Sequence, residues 1–308
     1  MSTYLVTGGA GFIGSHLTDR LINLGYKVIV LDDLSLGKEE NINSKAEFIK
    51  GSISDTALLE QLFTKANFCY HLAATTSVQK SINDWVACHQ NNLTATVNMF
   101  NIAAESKVPV VYASSAAVYG TIDKVPINED INIIPLSPYG MDKYCCELQA
   151  KLFADIKGLD SIGLRFFNVY GLRQDASSPY SGVISLFTDK INNDVAINVY
   201  GDGNQERDFI HVNDVVQALI KAKDHASTKA EIYNVCTEIG VSINQLIKIL
   251  FELSNKKVPI NYSPAKAGDI YKSIGSASKI KQELNFSSNV TIKQGLTELL
   301  KTTNANDE

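Results

Sequence analysis

The first 167 residues alternate two hydrophobic rhythms. Short, nearly continuous apolar runs fall at about 3–7, 27–31, 46–49, 68–72, 109–113 and 161–166. Between them, apolar residues recur at helical spacing over about 12–24, 55–65, 85–106 and 139–157. Uninterrupted apolar strands read as buried on both faces, and their alternation with helices predicts an α/β fold with a doubly wound parallel sheet. Gly25, just past the last apolar position of the first helix, supplies its stop.

After residue 167 the rhythm loosens. Loops rich in Ser, Gly and Asn at about 175–182 and 201–206 separate a strand near 195–199 from a helix near 213–223. A strand at 231–235, a helix at 243–253, a strand at 258–262 and helices near 278–284 and 291–301 follow. The pattern divides the chain into a domain over 1–167 and a smaller α/β lobe over 168–308 that forms one side of a cleft. Part of 200–225 is open to return to the first domain.

Composition narrows the possibilities. Hydrophobic residues at 45% and charged residues at 20% of 308 describe an ordinary globular protein with a full core. A net charge of −5 argues against nucleic acid or an anionic membrane as partner. No apolar stretch approaches the roughly 18 residues of a membrane span. Cys69, Cys88, Cys145, Cys146 and Cys236 are odd in number and lack CxxC spacing. They read as reduced thiols of a cytoplasmic protein, and a strand starting near residue 3 leaves no room for a leader. His16, His71, His89, His211 and His225 are scattered, so no metal is expected.

Two local features carry chemistry. Gly8, Gly11 and Gly14 lie between the first strand and the first helix. Glycines there let the chain turn sharply and bring bare backbone, with a helix N-terminus behind it, against a pyrophosphate. This makes the sheet Rossmann-type. Asp32 closes the second strand, where a carboxylate accepts both ribose hydroxyls and repels a 2′-phosphate, favouring NAD. Further on, Tyr139 and Lys143 share one helix face at i and i+4. A phenol ordinarily titrates near 10, so a base near neutrality needs help from cations. A lysine ammonium and an oxidised nicotinamide ring have the right sign. Ser115 follows the strand at 109–113, at the carboxyl edge of the sheet where ligands bind in such folds.

Longer segments then fit one family: TGGAGFIGSHL (7–17), LDDLS (31–35), HLAA (71–74), NN (91–92), SSAAVYG (114–120), SPYGMDK (137–143), RFFNVYG (165–171), YGDGNQERDFIHVND (200–214) and GD (268–269). On these the chain resembles the extended short-chain dehydrogenase/reductases, and within them the NAD-dependent UDP-glucose/UDP-N-acetylglucosamine 4-epimerases. The resemblance implies that Tyr139 is the base, Lys143 its helper and a nicotinamide-ribose ligand, and Ser115 a partner of the sugar hydroxyl. It places Phe12, Ile13, Asp33 and Ile53 along the cofactor, with Leu72, Ala73, Ala74 and Asn92. It assigns Asn168 to the nucleotide sugar, Val183 and Ile184 to the uracil, Arg207 to the diphosphate, and Asp269 to the substrate. Ser52 and Lys266 depart from the family pattern, and Thr76 occupies a position that varies among the epimerases. Ser52 stands where an Asp usually touches the adenine, and Lys266 replaces a diphosphate-binding Arg, keeping charge but losing the bidentate fork.

The resemblance also bears on the reaction. Dehydratases of this family carry an Asp–Glu pair directly after the Ser/Thr position, and decarboxylases keep the Glu. Here Ala116 and Ala117 stand there, and alanines shuttle no protons. Reversible oxidation at carbon 4 of a UDP-hexose is therefore expected. Ser273, four residues after Asp269, stands where the resembled epimerases place a residue flanking the 2-substituent, and the resemblance implies that a serine there leaves room for an N-acetyl group. A UDP-glucuronate epimerase and a catalytically silent NAD-binding protein remain alternatives. Helices near 85–106 and 139–157 carry surplus apolar residues, among them Val97, Phe100, Leu148 and Leu152, and the family forms homodimers through them.

Overall fold

The computed structural model describes residues 2–122, 124–175, 182–265 and 270–304. The first half runs β1 (Thr3–Thr7), α1 (Phe12–Asn23), β2 (Lys27–Asp32), β3 (Glu47–Lys50), α2 (Thr56–Phe63) and β4 (Phe68–His71). It continues through α3 (Val78–Asn83), α4 (Trp85–His89), α5 (Ala95–Ser106), β5 (Val110–Ser115), α6 (Pro138–Lys157) and β6 (Ser161–Phe166). A π-helical turn, Gln90–Thr94, joins α4 to α5.

The second half adds β7 (Asn168–Tyr170), α7 (Val183–Asn192), β8 (Ile197–Tyr200), β9 (Glu206–His211), α8 (Val212–Lys223) and β10 (Glu231–Val235). It ends with β11 (Gly240–Ser242), α9 (Ile243–Ser254), β12 (Ile260–Ser263), β13 (Lys272–Ser273), α10 (Ser278–Leu284) and α11 (Ile292–Asn304). Among the described residues no helix is long and apolar enough to cross a membrane.

Seven strands form one sheet in the order β10-β6-β5-β4-β1-β2-β3, every neighbouring pair parallel. The apolar runs are continuous because both faces are covered. Tyr4 and Val6 enter one core with Leu17 and Leu21 of α1 and with Val215 and Leu219 of α8. Leu5, between them, enters the other with Leu59 of α2 and Phe100 of α5. The order reverses between β1 and β4, which opens a crevice at their carboxyl ends. A third core, built from Phe187 and Ile191 of α7, Leu246 and Leu250 of α9 and Leu296 of α11, holds the smaller lobe together.

One element lies elsewhere than expected. The strand at 231–235, read from sequence as part of the smaller lobe, is the edge strand of the large sheet, with Glu231 opposite Ile162 and Val235 opposite Phe166. The return begins with the helix anticipated near 213–223, because the Val215/Leu219 face of α8 is buried with α1 rather than in the third core. A short apolar run shows that a strand is buried, not which sheet it joins.

Candidate active site

The crevice at the reversal point is a cavity of about 450 Å3. Its floor is the turn after β1. Gly8 takes φ 72°, and a Cβ there would stand 2.7 Å from the Ala73 nitrogen, so no side chain fits. α1 begins directly behind this turn. No side chain caps its first N–H groups and its first turn carries no acid, so the backbone donors and the helix dipole are left for an anion. This is a cradle whose shape and positive polarity suit a dinucleotide pyrophosphate.

Asp32, at the end of β2, lines the same cavity. Its carboxylate accepts from the Ala10 N–H at 3.0 Å and the Leu34 N–H at 2.9 Å. Burial raises its pKa, while the amides of Leu34 and Ala10 pull the other way. Two amides thus hold an otherwise costly carboxylate at the edge of the crevice.

The opposite wall comes from α6. Ser137 caps that helix by accepting from the Gly140 N–H at 3.1 Å, and Pro138 starts its first turn. Tyr139 and Lys143 therefore project together, both buried and both lining the cavity. Lys143 Nζ stands 6.0 Å from the centre of the Tyr139 ring and donates to the Ala113 carbonyl at 2.9 Å. Ser115 reaches the cavity from the end of β5, and its Oγ accepts from the Ala117 N–H at 3.1 Å. That leaves the Ser115 hydroxyl proton available to a ligand.

Behind this wall runs a buried chain of hydrogen bonds. The Thr96 hydroxyl donates to the Asn92 carbonyl at 2.5 Å, so His71 Nε2–H donates to Thr96 Oγ1 at 3.0 Å. His71 Nδ1 then accepts from the Thr7 hydroxyl at 2.8 Å. Burial, followed by the Lys143 charge, pushes the His71 pKa down to about 3, and the ring is neutral.

The structure gathers most of the residues anticipated along the cofactor. Gly8, Gly11, Phe12, Ile13 and Gly14 line one end of the cavity. Asp33, Ile53, Leu72, Ala73 and Ala74 line it further along. Asn92 and Ser52 do not. The Asn92 amide is spent on the Thr75 backbone, accepting from its N–H at 2.7 Å and donating to its carbonyl at 3.0 Å. Asn92 thus holds the wall residue instead of being one. The Ser52 hydroxyl accepts from the Ser54 N–H at 3.1 Å in a local turn, while Gly51 and Ile53 on either side face the cavity.

The residues anticipated around the substrate are more dispersed. Asn168 donates to the Asp208 carbonyl at 3.2 Å, and Arg207 donates to the Glu206 carbonyl at 3.0 Å. Ile184 is buried in the third core with Val183 packed beside it, so the chain reaches the cavity at Gly182 instead. Ser273 sits in β13 opposite Arg207. Lys266 and Asp269 lie outside the described residues.

Sequence reasoning missed several stretches of wall, among them Ser35, Leu36, Gly37, Lys38 and Asn41 after β2, and Phe167, Val169, Arg173 and Gln174 after β6. Thr75, Thr76, Ser77 and Lys80 line the cavity. Ser77 caps α3 by accepting from the Lys80 N–H, and Ser81 of α3 accepts from the Tyr139 N–H at 3.2 Å. The six-residue helix was too short to register as a hydrophobic period, although Ser77 ahead of it is a capping signal.

Comparison with known proteins agrees with this geometry. The model of the NAD dependent epimerase/dehydratase family matches residues 4–236. The chain is 38% identical over 295 residues to the putative UDP-glucose 4-epimerase of Methanocaldococcus jannaschii, covering 95% of each. It is similar to UDP-glucose 4-epimerase of Thermotoga maritima, solved with UDP-glucose, at a TM-score of 0.96 and 36% identity over 99% of this chain and 100% of that one. It is also similar to UDP-N-acetylglucosamine 4-epimerase of Methanobrevibacter ruminantium, in complex with UDP-N-acetylmuramic acid, at 0.93 and 35% over 99% of each. The matched stretch spans the glycine turn, Ser115 and the Tyr139–Lys143 wall, and the chain belongs to the NAD-dependent epimerase/dehydratase family, as an extended short-chain dehydrogenase/reductase.

Proposed function

We propose that this protein is a UDP-hexose 4-epimerase that interconverts UDP-glucose and UDP-galactose. The observation that carries the proposal is the cavity wall itself. Tyr139 and Lys143, buried side by side, line the cavity with the glycine turn and Ser115, and the two residues directly after Ser115 carry no proton-transferring side chain. Ala116 and Ala117 stand where the family's dehydratases use their acid–base pair.

The bare turn at Gly8, the amide-held Asp32 and the Lys143 ammonium would hold NAD. When bound, NAD supplies a hydride acceptor at carbon 4 of the sugar that returns the same hydride, so the reaction has no net redox change. Tyr139, as phenolate, takes the proton of the sugar 4-hydroxyl and gives it back. Lys143 stabilises the phenolate by charge, and Ser115 donates its free proton to the sugar oxygen. Arg207 and Lys266 suit the diphosphate by charge, and Asn168 and Asp269 the sugar side.

The test is direct. Incubation with UDP-glucose and no added NAD should yield UDP-galactose, followed by NMR. Tyr139→Phe should lower kcat about 10^3-fold while calorimetry shows UDP-glucose binding intact. A parent rate in that variant would exclude Tyr139 as the base.

Ser273 favours a wider substrate range. It is small and half-buried opposite Arg207, and in the resembled epimerases a small residue at this position admits a 2-acetamido group, so UDP-GlcNAc should be turned over as well.

The protein also presents a stripe that suits a homodimer. Met141, Leu148, Leu152 and Ile156 recur along the outer face of α6, and Trp85 and Val86 stand on the neighbouring α4, all between 45% and 71% exposed. Apolar area so concentrated on one face suits a second copy of the same helices. The five cysteines are all free thiols, in keeping with the cytoplasm.

A further inference from the structure

Beneath the catalytic wall, Glu147 of α6 and Arg165 of β6 form an ion pair whose side chains are each only 4% exposed. The pair is bidentate: Arg165 Nε donates to Glu147 Oε1 at 2.9 Å and Nη2 donates to Oε2 at 2.7 Å. A buried pair of this kind gains little or nothing over apolar side chains of equal volume, so stability alone does not account for it. Its connections do.

Glu147 follows Lys143 by one helical turn and Tyr139 by two, so the three share one face of α6. Its Oε1 also accepts from the Ser114 hydroxyl at 2.5 Å, while Lys143 donates to the carbonyl of Ala113. Two successive turns of α6 are thus tied to two successive residues of β5, and Ser115 is the next residue out. Arg165 holds the other end of the same segment. Its Nη1 donates to the Tyr119 hydroxyl at 2.8 Å, and that hydroxyl donates to Asn234 Oδ1 on β10 at 2.6 Å. The turn between Ser115 and Tyr119 lies hard against α6, where a Cβ on Gly140 would stand 2.4 Å from the Ala117 carbonyl. No slack remains for the helix to slide.

We propose that Glu147 and Arg165 are a positioning pair that sets the register of Tyr139 and Lys143 against Ser115. The proposal rests on the epimerase reading for its kinetic consequence. Displacing reacting groups by about 1 Å lowers rates on the order of 10^2-fold, so a shift too small to unfold the protein is enough.

Removing one partner leaves a buried charge and risks unfolding, so the deciding variant changes both: Glu147→Met with Arg165→Met. Its Tm, bound NAD and Kd for UDP-glucose should match the parent. Its kcat should fall about 100-fold, with the low-pH arm of the kcat profile displaced upward because the phenolate loses its fixed distance to Lys143. A second variant, Tyr119→Phe, keeps the ion pair but frees the Ser115 turn from it, and should lower kcat with KM unchanged. Parent kcat and pH profile in either folded variant would overturn the proposal. An activity-independent reading comes from ultraviolet titration of the Tyr139 phenol, taken as the difference from Tyr139→Phe, in the NAD-loaded protein. It should move in the double variant, and an unmoved titration would also overturn the pair's role. A parent protein that epimerises no UDP-sugar would sink the epimerase reading alone, and the titration would still decide the pair.

Discussion

Ser115, Tyr139 and Lys143 could be placed on the cavity wall from the chain because their positions depend on spacing along a strand end and a helix face, which the sequence states directly. Asn92 and Ile184 could not be placed the same way. Each belongs to a segment of the right character, but whether a side chain faces the cavity or turns behind its wall depends on neighbours far along the chain. Asn92 finds Thr75, and Ile184 finds the core under α9. The proposed wider substrate range turns on the size of Ser273. Ser273→Tyr should abolish turnover of UDP-GlcNAc by at least about 100-fold and spare UDP-glucose, a difference read by running both substrates on one preparation. One methylene in a pocket discriminates about 10–200-fold, and a phenol ring is far larger. Equal loss on both substrates would remove Ser273 from the 2-substituent.

α6 shows how one element serves two ends. Its inner face carries Tyr139, Lys143 and Glu147, and its outer face carries Met141, Leu148, Leu152 and Ile156. The sequence shows too many apolar residues for one sheet face but not which side they occupy: Leu148 and Leu152 are half-exposed, whereas Phe100, counted with them, is fully buried in the core. Leu148→Glu with Leu152→Glu should shift sedimentation from dimer to monomer without unfolding, since both side chains are half-exposed in the single chain. A dimer that survives both charges would place the interface elsewhere. Among the elements, the strands of the large sheet and its long flanking helices were legible to within a few residues, because burial on two faces or one writes its period into the chain; β9, Glu206–His211, was not, since it starts in a stretch read as loop. α3 is too short to show a period, and α7 follows a loop rich in Ser and Gly that masks its start. The π-helical turn at Gln90–Thr94 adds a residue to one turn, leaving a composition that still reads as ordinary helix.

At the scale of the whole molecule, β1, β4 and the α4–α5 helix meet at His71, which bonds Thr7 on one side and Thr96 on the other. Its pKa of about 3 in the folded protein lies below the ordinary 6.5 of the unfolded chain. Between these values the unfolded chain binds the proton and the folded one does not, so stability falls as pH drops from 6.5 toward 3. The His71 contribution to that slope is at most about 1.4 kcal/mol per pH unit. His71→Gln, which keeps hydrogen-bonding capacity but cannot titrate, should flatten the slope in urea unfolding measured at a series of pH values. A parent slope in the variant would assign acid sensitivity to other groups.

Local sequence was enough for the glycine turn, the strand-end Asp32, the paired Tyr139 and Lys143, and the alternation that makes a parallel sheet. Each follows from steric freedom, hydrogen-bonding capacity or periodicity within about twenty residues. Only the tertiary structure decided that β10 closes the large sheet, that Asn92 braces the wall from behind, and that Glu147 meets Arg165 beneath Tyr139. Those outcomes join residues separated by tens of positions, and which buried polar group finds which partner is set by the packing of whole elements rather than by any segment alone.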